Sequence, residues 1–167
     1  MQRIVVIGNS GSGKSTLARA LGNRLGLPIT HLDPLYYLAD WRAGDPDGFR
    51  AKVSHAAAQE EWIIDGMFLS LIGDIVLSRA QLILWLEQPT WVCLFRAAWR
   101  AMRPWGGNRA DLPAGCRDSL DPAMLHFIGT FERRGRVNIQ GHLDRLAPNT
   151  PVTHLAGDKG VRDFLVD

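Results

Sequence analysis

The chain alternates short apolar runs with longer stretches in which apolar residues recur every three or four positions. Ile4-Val5-Val6-Ile7 is unbroken, as expected of a strand buried on both faces. Four further runs read as strands: Ile29-Thr30-His31-Leu32, Trp62-Ile63-Ile64-Asp65-Gly66, Leu82-Ile83-Leu84-Trp85-Leu86 and Pro151-Val152-Thr153-His154-Leu155. The periodic stretches between them predict helices from Lys14 to Leu25, from Pro46 to about Glu60, from Leu69 to Arg79, from Pro89 to about Met102, from Pro122 toward Leu146, and from about Asp158 onward. Gly26 with Pro28 just beyond stops the first of these, and Asp45-Pro46 and Asp121-Pro122 each pair an N-cap with a proline at the first helical position. Leu35 to Trp41 is aromatic and irregular, and Pro104 to Gly115 is a Gly- and Pro-rich interruption of the kind that is usually functional. Five strands alternating with helices predict an α/β fold in three layers, a parallel sheet covered on both faces. No repeat or low-complexity segment divides residues 1–167, which read as one domain.

Directly between the first strand and the first helix stands Gly8-Asn9-Ser10-Gly11-Ser12-Gly13-Lys14-Ser15-Thr16. Its spacing is that of a P-loop, G-x-x-x-x-G-K-[ST], in the strand–loop–helix context the motif requires. The glycines let successive backbone N–H groups close on a polyphosphate, and the helix start adds its partial positive charge. Gly8, Ser10, Gly11, Ser12, Gly13, Lys14, Ser15 and Thr16 are therefore the expected ATP-binding residues. Lys14 puts a full charge near the β- and γ-phosphates, and the Ser15 hydroxyl is suited to ligate Mg²⁺.

Composition narrows the rest. Hydrophobic residues at 46% and charged residues at 22% are those of a globular chain. No apolar run approaches a membrane span, and the strand that follows Met1-Gln2-Arg3 at once leaves no room for a cleavable signal. A cytoplasmic location, no membrane partner, and free thiols at Cys93 and Cys116 are expected. A net charge of +2 does not by itself argue for nucleic acid, but only three of the 19 basic residues are lysines. Arginine forks suit phosphate, and a coding bias gives the same count, so position decides.

In an open parallel sheet, ligands sit beyond the carboxyl ends of the strands. Asp65 has the form of a Walker-B carboxylate that would help hold the magnesium; its plain alternative is a strand-end turn cap. Asp33 is the candidate for orienting, or taking a proton from, an acceptor hydroxyl, against a simple Asp-Pro turn. His31 is expected to face the sheet interior or a neighbouring helix. Arg96 and Arg100 share a helical face just before the Gly/Pro-rich stretch, Arg103, Arg109 and Arg117 lie beside or within it, and Arg133, Arg134 and Arg136 follow on the next helix. Arg96, Arg100 and Arg134 are the candidates for stabilising transition-state charge, delivered by a lid. Trp99 and Trp105 suit either a stacked base or the core, and helical spacing favours the core.

With these residues placed, the chain resembles the adenylate-kinase-like group of P-loop kinases, and within it the small FlaR-type DNA-topology-modulation proteins. The shared stretches are His31-Leu32-Asp33-Pro34-Leu35-Tyr36, Trp62-Ile63-Ile64-Asp65-Gly66-Met67-Phe68 and Arg109-Ala110-Asp111-Leu112-Pro113-Ala114-Gly115-Cys116. The resemblance implies strand order 2-3-1-4-5, an acceptor-binding region at about 33–60 and a small lid at about 100–120. Pro89, Arg96 and Arg100 match a spacing that implies Arg96 near the adenine and Arg100 near the phosphates. Where adenylate kinases carry Asp-Gly-aromatic-Pro-Arg, this chain has Asp65-Gly66-Met67-Phe68-Leu69, without the arginine that grips a monophosphate acceptor.

The expectation is an ATP- and Mg²⁺-dependent kinase, monomeric or homodimeric, acting on a small acceptor. The alternative is an ATP-responsive regulatory protein that affects DNA topology with little catalysis.

Overall fold

A computed structural model describes residues 2–102, 111–116 and 121–166 of the chain. Arg103, Trp105, Arg109 and Arg117, and with them most of the expected lid, lie outside the described residues.

The five apolar runs form β1 (Arg3–Gly8), β2 (Ile29–His31), β3 (Trp62–Asp65), β4 (Leu82–Glu87) and β5 (Val152–Ala156). They pair in parallel in the order β2-β3-β1-β4-β5. Successive residues of β1 point to opposite faces. Val5 and Ile7 join a cluster with Phe49, Val53, Ile64, Ile72, Ile139 and Leu143, while Ile4 and Val6 join one with Leu17, Leu21, Leu84 and Leu155. Burial of both faces explains why β1 reads as an unbroken apolar run rather than an alternating one.

The helices are α1 (Lys14–Leu25), α2 (Asp33–Tyr36), α3 (Pro46–Ala58), α4 (Leu69–Val76), α5 (Thr90–Met102), α6 (Pro122–Thr130), α7 (Arg136–Leu146) and α8 (Gly157–Val166). The expected caps form: the Asp45 side chain accepts from the Gly48 N–H at 2.7 Å and the Asp121 side chain from the Met124 N–H at 2.8 Å. Among the described residues no helix is long and apolar enough to cross a membrane, and both cysteines are free.

Three expectations change. Asp33–Tyr36 is a helical turn rather than irregular chain, because Pro34 falls where a helix needs no N–H donor and Tyr36 N–H reaches the Leu32 carbonyl. The helix expected from Pro122 toward Leu146 is interrupted by a π turn, Phe131–Gly135, in which the buried Phe131 ring lies against the backbone of Gly135. Finally, Trp99 is not core. Helix α5 buries the small face Cys93 and Ala97, leaving Trp99 half exposed and stacked on Phe95 at 6.4 Å.

Candidate active site

The P-loop leaves β1 at Gly8, and α1 begins at Lys14 with Gly13 as its N-cap. No side chain caps this helix and no acidic residue occupies its first turn, so its N–H groups are left for an anion. Gly11 is required in two ways. Its φ is +81°, and a Cβ there would stand 2.6 Å from the Cys93 carbonyl oxygen, so α5 presses directly on the loop. Lys14 Nζ donates to the Asn9 carbonyl at 2.9 Å, and Asn9 is itself anchored to the Ile128 carbonyl at 3.1 Å.

Two cavities meet on this loop. The smaller, of about 100 Å³, is lined by Lys14, Ser15, Asp33, Trp41, Arg100 and Asp111, among others. The larger, of about 520 Å³, runs between α5 and α8 and includes Phe95, Arg96, Trp99, Asp158 and Val161 in its walls. Gly11, Gly13, Thr16 and Arg100 belong to both. The loop therefore divides a polar chamber from one with a largely apolar wall.

In the polar chamber Asp33 stands beyond the end of β2. Burial pushes its carboxyl above the ordinary range; Lys14 pulls the other way, and Asp65 and Asp111 add to the rise. Asp65 ends β3 and is 4% exposed. One of its oxygens lies 2.8 Å from His31 Nδ1, and the other is buried with no partner among the described residues. His31 therefore meets Asp65 on the neighbouring strand, where the two Cα positions are in register. Gly66 holds the end of β3 close to Leu32: at φ +152°, a Cβ there would lie 2.7 Å from the Leu32 Cβ.

The arginines separate by position. Arg100 lines both cavities. Arg96 belongs to the larger one, where its Nη2 donates to both Asp158 oxygens at 2.8 and 2.7 Å and its Nη1 to the Ser12 carbonyl at 3.4 Å. That bond, with the nearby positive charge, holds the Asp158 carboxyl below its usual range. Arg134 is exposed on the π turn and lines neither cavity, and Arg136 pairs with Glu87 at 2.8 Å beneath β4.

Three residues at these cavities were not singled out from the sequence. Asp158 follows the last strand, so the strand-end rule that found Asp33 and Asp65 also reaches it. Asp111 and its partner Arg19, 3.1 Å apart, are 92 residues distant in the chain and share no local pattern.

No protein-family model matches the sequence, and no curated protein does. Solved structures do match. A shikimate kinase from Acinetobacter baumannii in complex with shikimate shares 14% identity over 99% of this chain and 89% of its own, with a TM-score of 0.58. A shikimate kinase from Bacteroides thetaiotaomicron shares 18% over 99% and 94%, also at 0.58. A sugar kinase from Janibacter shares 17% over 99% and 93%, at 0.50. At these identities the likeness is one of architecture, and the chain shares the α/β fold of these structures, with its parallel sheet in the order 2-3-1-4-5.

Proposed function

We propose that this chain is a phosphotransferase that moves the γ-phosphoryl group of ATP to a hydroxyl of a small acceptor. The observation that carries this reading is one chamber lined at once by Lys14 and Ser15 of the P-loop, by Arg100, and by the half-buried Asp33. Binding alone needs no carboxyl beside the phosphates. Transfer to a hydroxyl needs one to orient the nucleophile and take its proton. The structural likeness to shikimate and sugar kinases supports the same reaction class and does not favour the DNA-directed alternative.

In this reading the loop amides of Gly8 to Gly13 and the open start of α1 bind the phosphates, with Ser10, Ser12 and Thr16 completing the loop. Lys14 takes up charge on the β- and γ-phosphates, and Arg100 holds the equatorial oxygens of the transferring group. Arg96, fixed by Asp158, serves the base side. The acceptor O–H gives its proton to Asp33 as the new O–P bond forms, and the terminal P–O bond of ATP breaks to release ADP. The residues present also fit magnesium: Ser15 offers a hydroxyl, and Asp65 offers a buried oxygen that no described group satisfies. When bound, that cation neutralises phosphate charge.

The test is phosphoryl transfer from Mg-ATP to nucleosides, nucleoside monophosphates and small hydroxylated metabolites, with water as the control acceptor. One acceptor phosphorylated much faster than ATP is hydrolysed is expected. ATP binding with only slow hydrolysis across the panel would overturn the reading.

A further inference from the structure

We propose that this chain pairs with a second copy of itself through the outward face of α5, the two helices lying antiparallel so that Trp91 of one meets Met102 of the other. This pairing is independent of the phosphotransfer reading above.

The first observation is that the side of α5 turned to water is apolar. Its buried side is Cys93 and Ala97, packed with Ile128 and Met124 of α6. Its two charged residues, Arg96 and Arg100, share one shoulder and line the larger cavity. Opposite Cys93 and Ala97, at 100° per residue, come Trp91, Phe95, Ala98 and Met102 in one narrow stripe. Trp91 is 71% exposed, Phe95 62% and Met102 66%. A helix that is apolar on its outer as well as its inner face is ordinarily covered on both. These three side chains expose on the order of 400 Å² of apolar surface. That is close to the apolar share, about 450 Å², of the roughly 800 Å² that one partner contributes to a standard interface.

The second observation is spacing. Positions 91, 95, 98 and 102 are separated by four, three and four residues, the repeat of a helix–helix seam, and that order reads the same in both directions. An antiparallel copy therefore presents the same seam in reverse, setting Trp91 opposite Met102 and Phe95 opposite Ala98 on either side of a two-fold axis. Each layer joins a bulky ring to a methyl or a pliant thioether, which suits close packing and sulfur–aromatic contact. The opposed helix dipoles attract in the same arrangement. No charge enters the seam, since both arginines of α5 lie on the shoulder that borders the larger cavity. A lipid surface fits less well: an interfacial helix is rich in cations on its polar face, and of the two here Arg96 is already held by Asp158. Phe95 is also in the wall of the larger cavity, so the seam runs beside the base side of the site.

Sedimentation equilibrium of the full chain over a wide range of concentration tests this. A mass that rises reversibly from that of one chain to that of two is expected. Trp91→Glu and Met102→Lys each put an unpaired charge into the seam and should weaken association about a hundredfold or more. Both side chains are exposed in the single chain, so circular dichroism and the thermal midpoint should scarcely move. Combined in one chain, the two charges face each other across the antiparallel pair, and the dissociation constant should return to within about tenfold of the native one. Parallel seating would set like charges together, and indiscriminate stickiness has no register, so neither gives this rescue. A native chain that stays monomeric throughout, an association that neither single charge weakens, or a loss that the double variant does not repair would each overturn the proposal. Co-sedimentation of a monomer with phosphatidylcholine–phosphatidylglycerol vesicles, lost in Trp91→Glu, would overturn it in favour of a lipid surface.

Discussion

His31 Nδ1 and Asp65 Oδ2 lie 2.8 Å apart across the ends of two adjacent strands, both nearly buried, while the other carboxylate oxygen meets no partner among the described residues. The imidazole thereby fixes the direction in which the carboxylate's second oxygen points. His31→Leu strands both oxygens in the interior and is expected to cost about 1–3 kcal/mol of stability. His31→Asn returns an N–H near the position of Nδ1 and should recover much of it. Urea denaturation of the two variants checks this, and equal losses would show that the ring's volume matters rather than its bond.

Lys14→Ala and Arg100→Ala should each lower turnover by about 10²- to 10³-fold, the usual loss on removing one preorganised charge or donor at a reacting phosphoryl or oxyanion. Neither side chain belongs to the two large core clusters, so far-UV circular dichroism and the thermal midpoint should scarcely move. An unchanged rate in either variant removes its assigned role.

Asp33→Asn separates catalysis from stability. Burial makes the charged form costly in the folded state, so the folded pKa lies above the unfolded one. Folding then loses stability as pH rises through the interval between the two values, and the penalty is absent below the unfolded value, where the group is neutral in both states. The variant should therefore be more stable than the native chain at neutral pH and equal to it in acid. Turnover should fall by about 10²- to 10⁴-fold, and the acid limb of the pH–rate profile, which in the native chain lies above the ordinary carboxylate range, should flatten. Chemical denaturation at several pH values, beside the rate profile, tests both signs.

Asp158→Asn removes the charge that holds Arg96. Nucleotide affinity is expected to weaken in this variant and in Arg96→Ala, with the double variant no worse than the poorer single one, since the two act as a unit. Because Arg96 holds the Asp158 carboxyl low, the pair is present above the unfolded pKa and is lost only as pH falls through the lower folded value. ATP affinity in the native chain should thus hold to below the ordinary carboxylate range, as calorimetric titration would report.

Gly66→Ala drives a Cβ into the start of α2 at a backbone angle that alanine resists. A loss of about 1–3 kcal/mol is expected. Because the strained contact lies between Asp33 and Asp65, turnover should fall further than stability explains; parallel denaturation and rate measurements distinguish the two.

Much of this molecule is legible locally. The glycine loop between an apolar run and an amphipathic helix needs only nearest neighbours to declare itself, and the five strands and the two Asp-Pro helix starts follow from side-chain periodicity and capping chemistry. Asp33 and Asp65 were found by their position at strand ends. The departures have one cause. Arg96 with Asp158, Arg19 with Asp111, His31 with Asp65 and Trp41 with Cys116 are pairs separated by 34 to 92 residues.

The sequence alone determined the strands, most of the helices, their parallel arrangement and the place of the glycine-rich loop, because these depend on hydrogen bonds and burial patterns repeated over a few residues. The tertiary structure decided which of many arginines face the loop, which carboxylate each one meets, and that an aromatic segment would be bent into the wall of the chamber. Those outcomes depend on packing between distant elements, where a helix turned by one residue presents a different side chain.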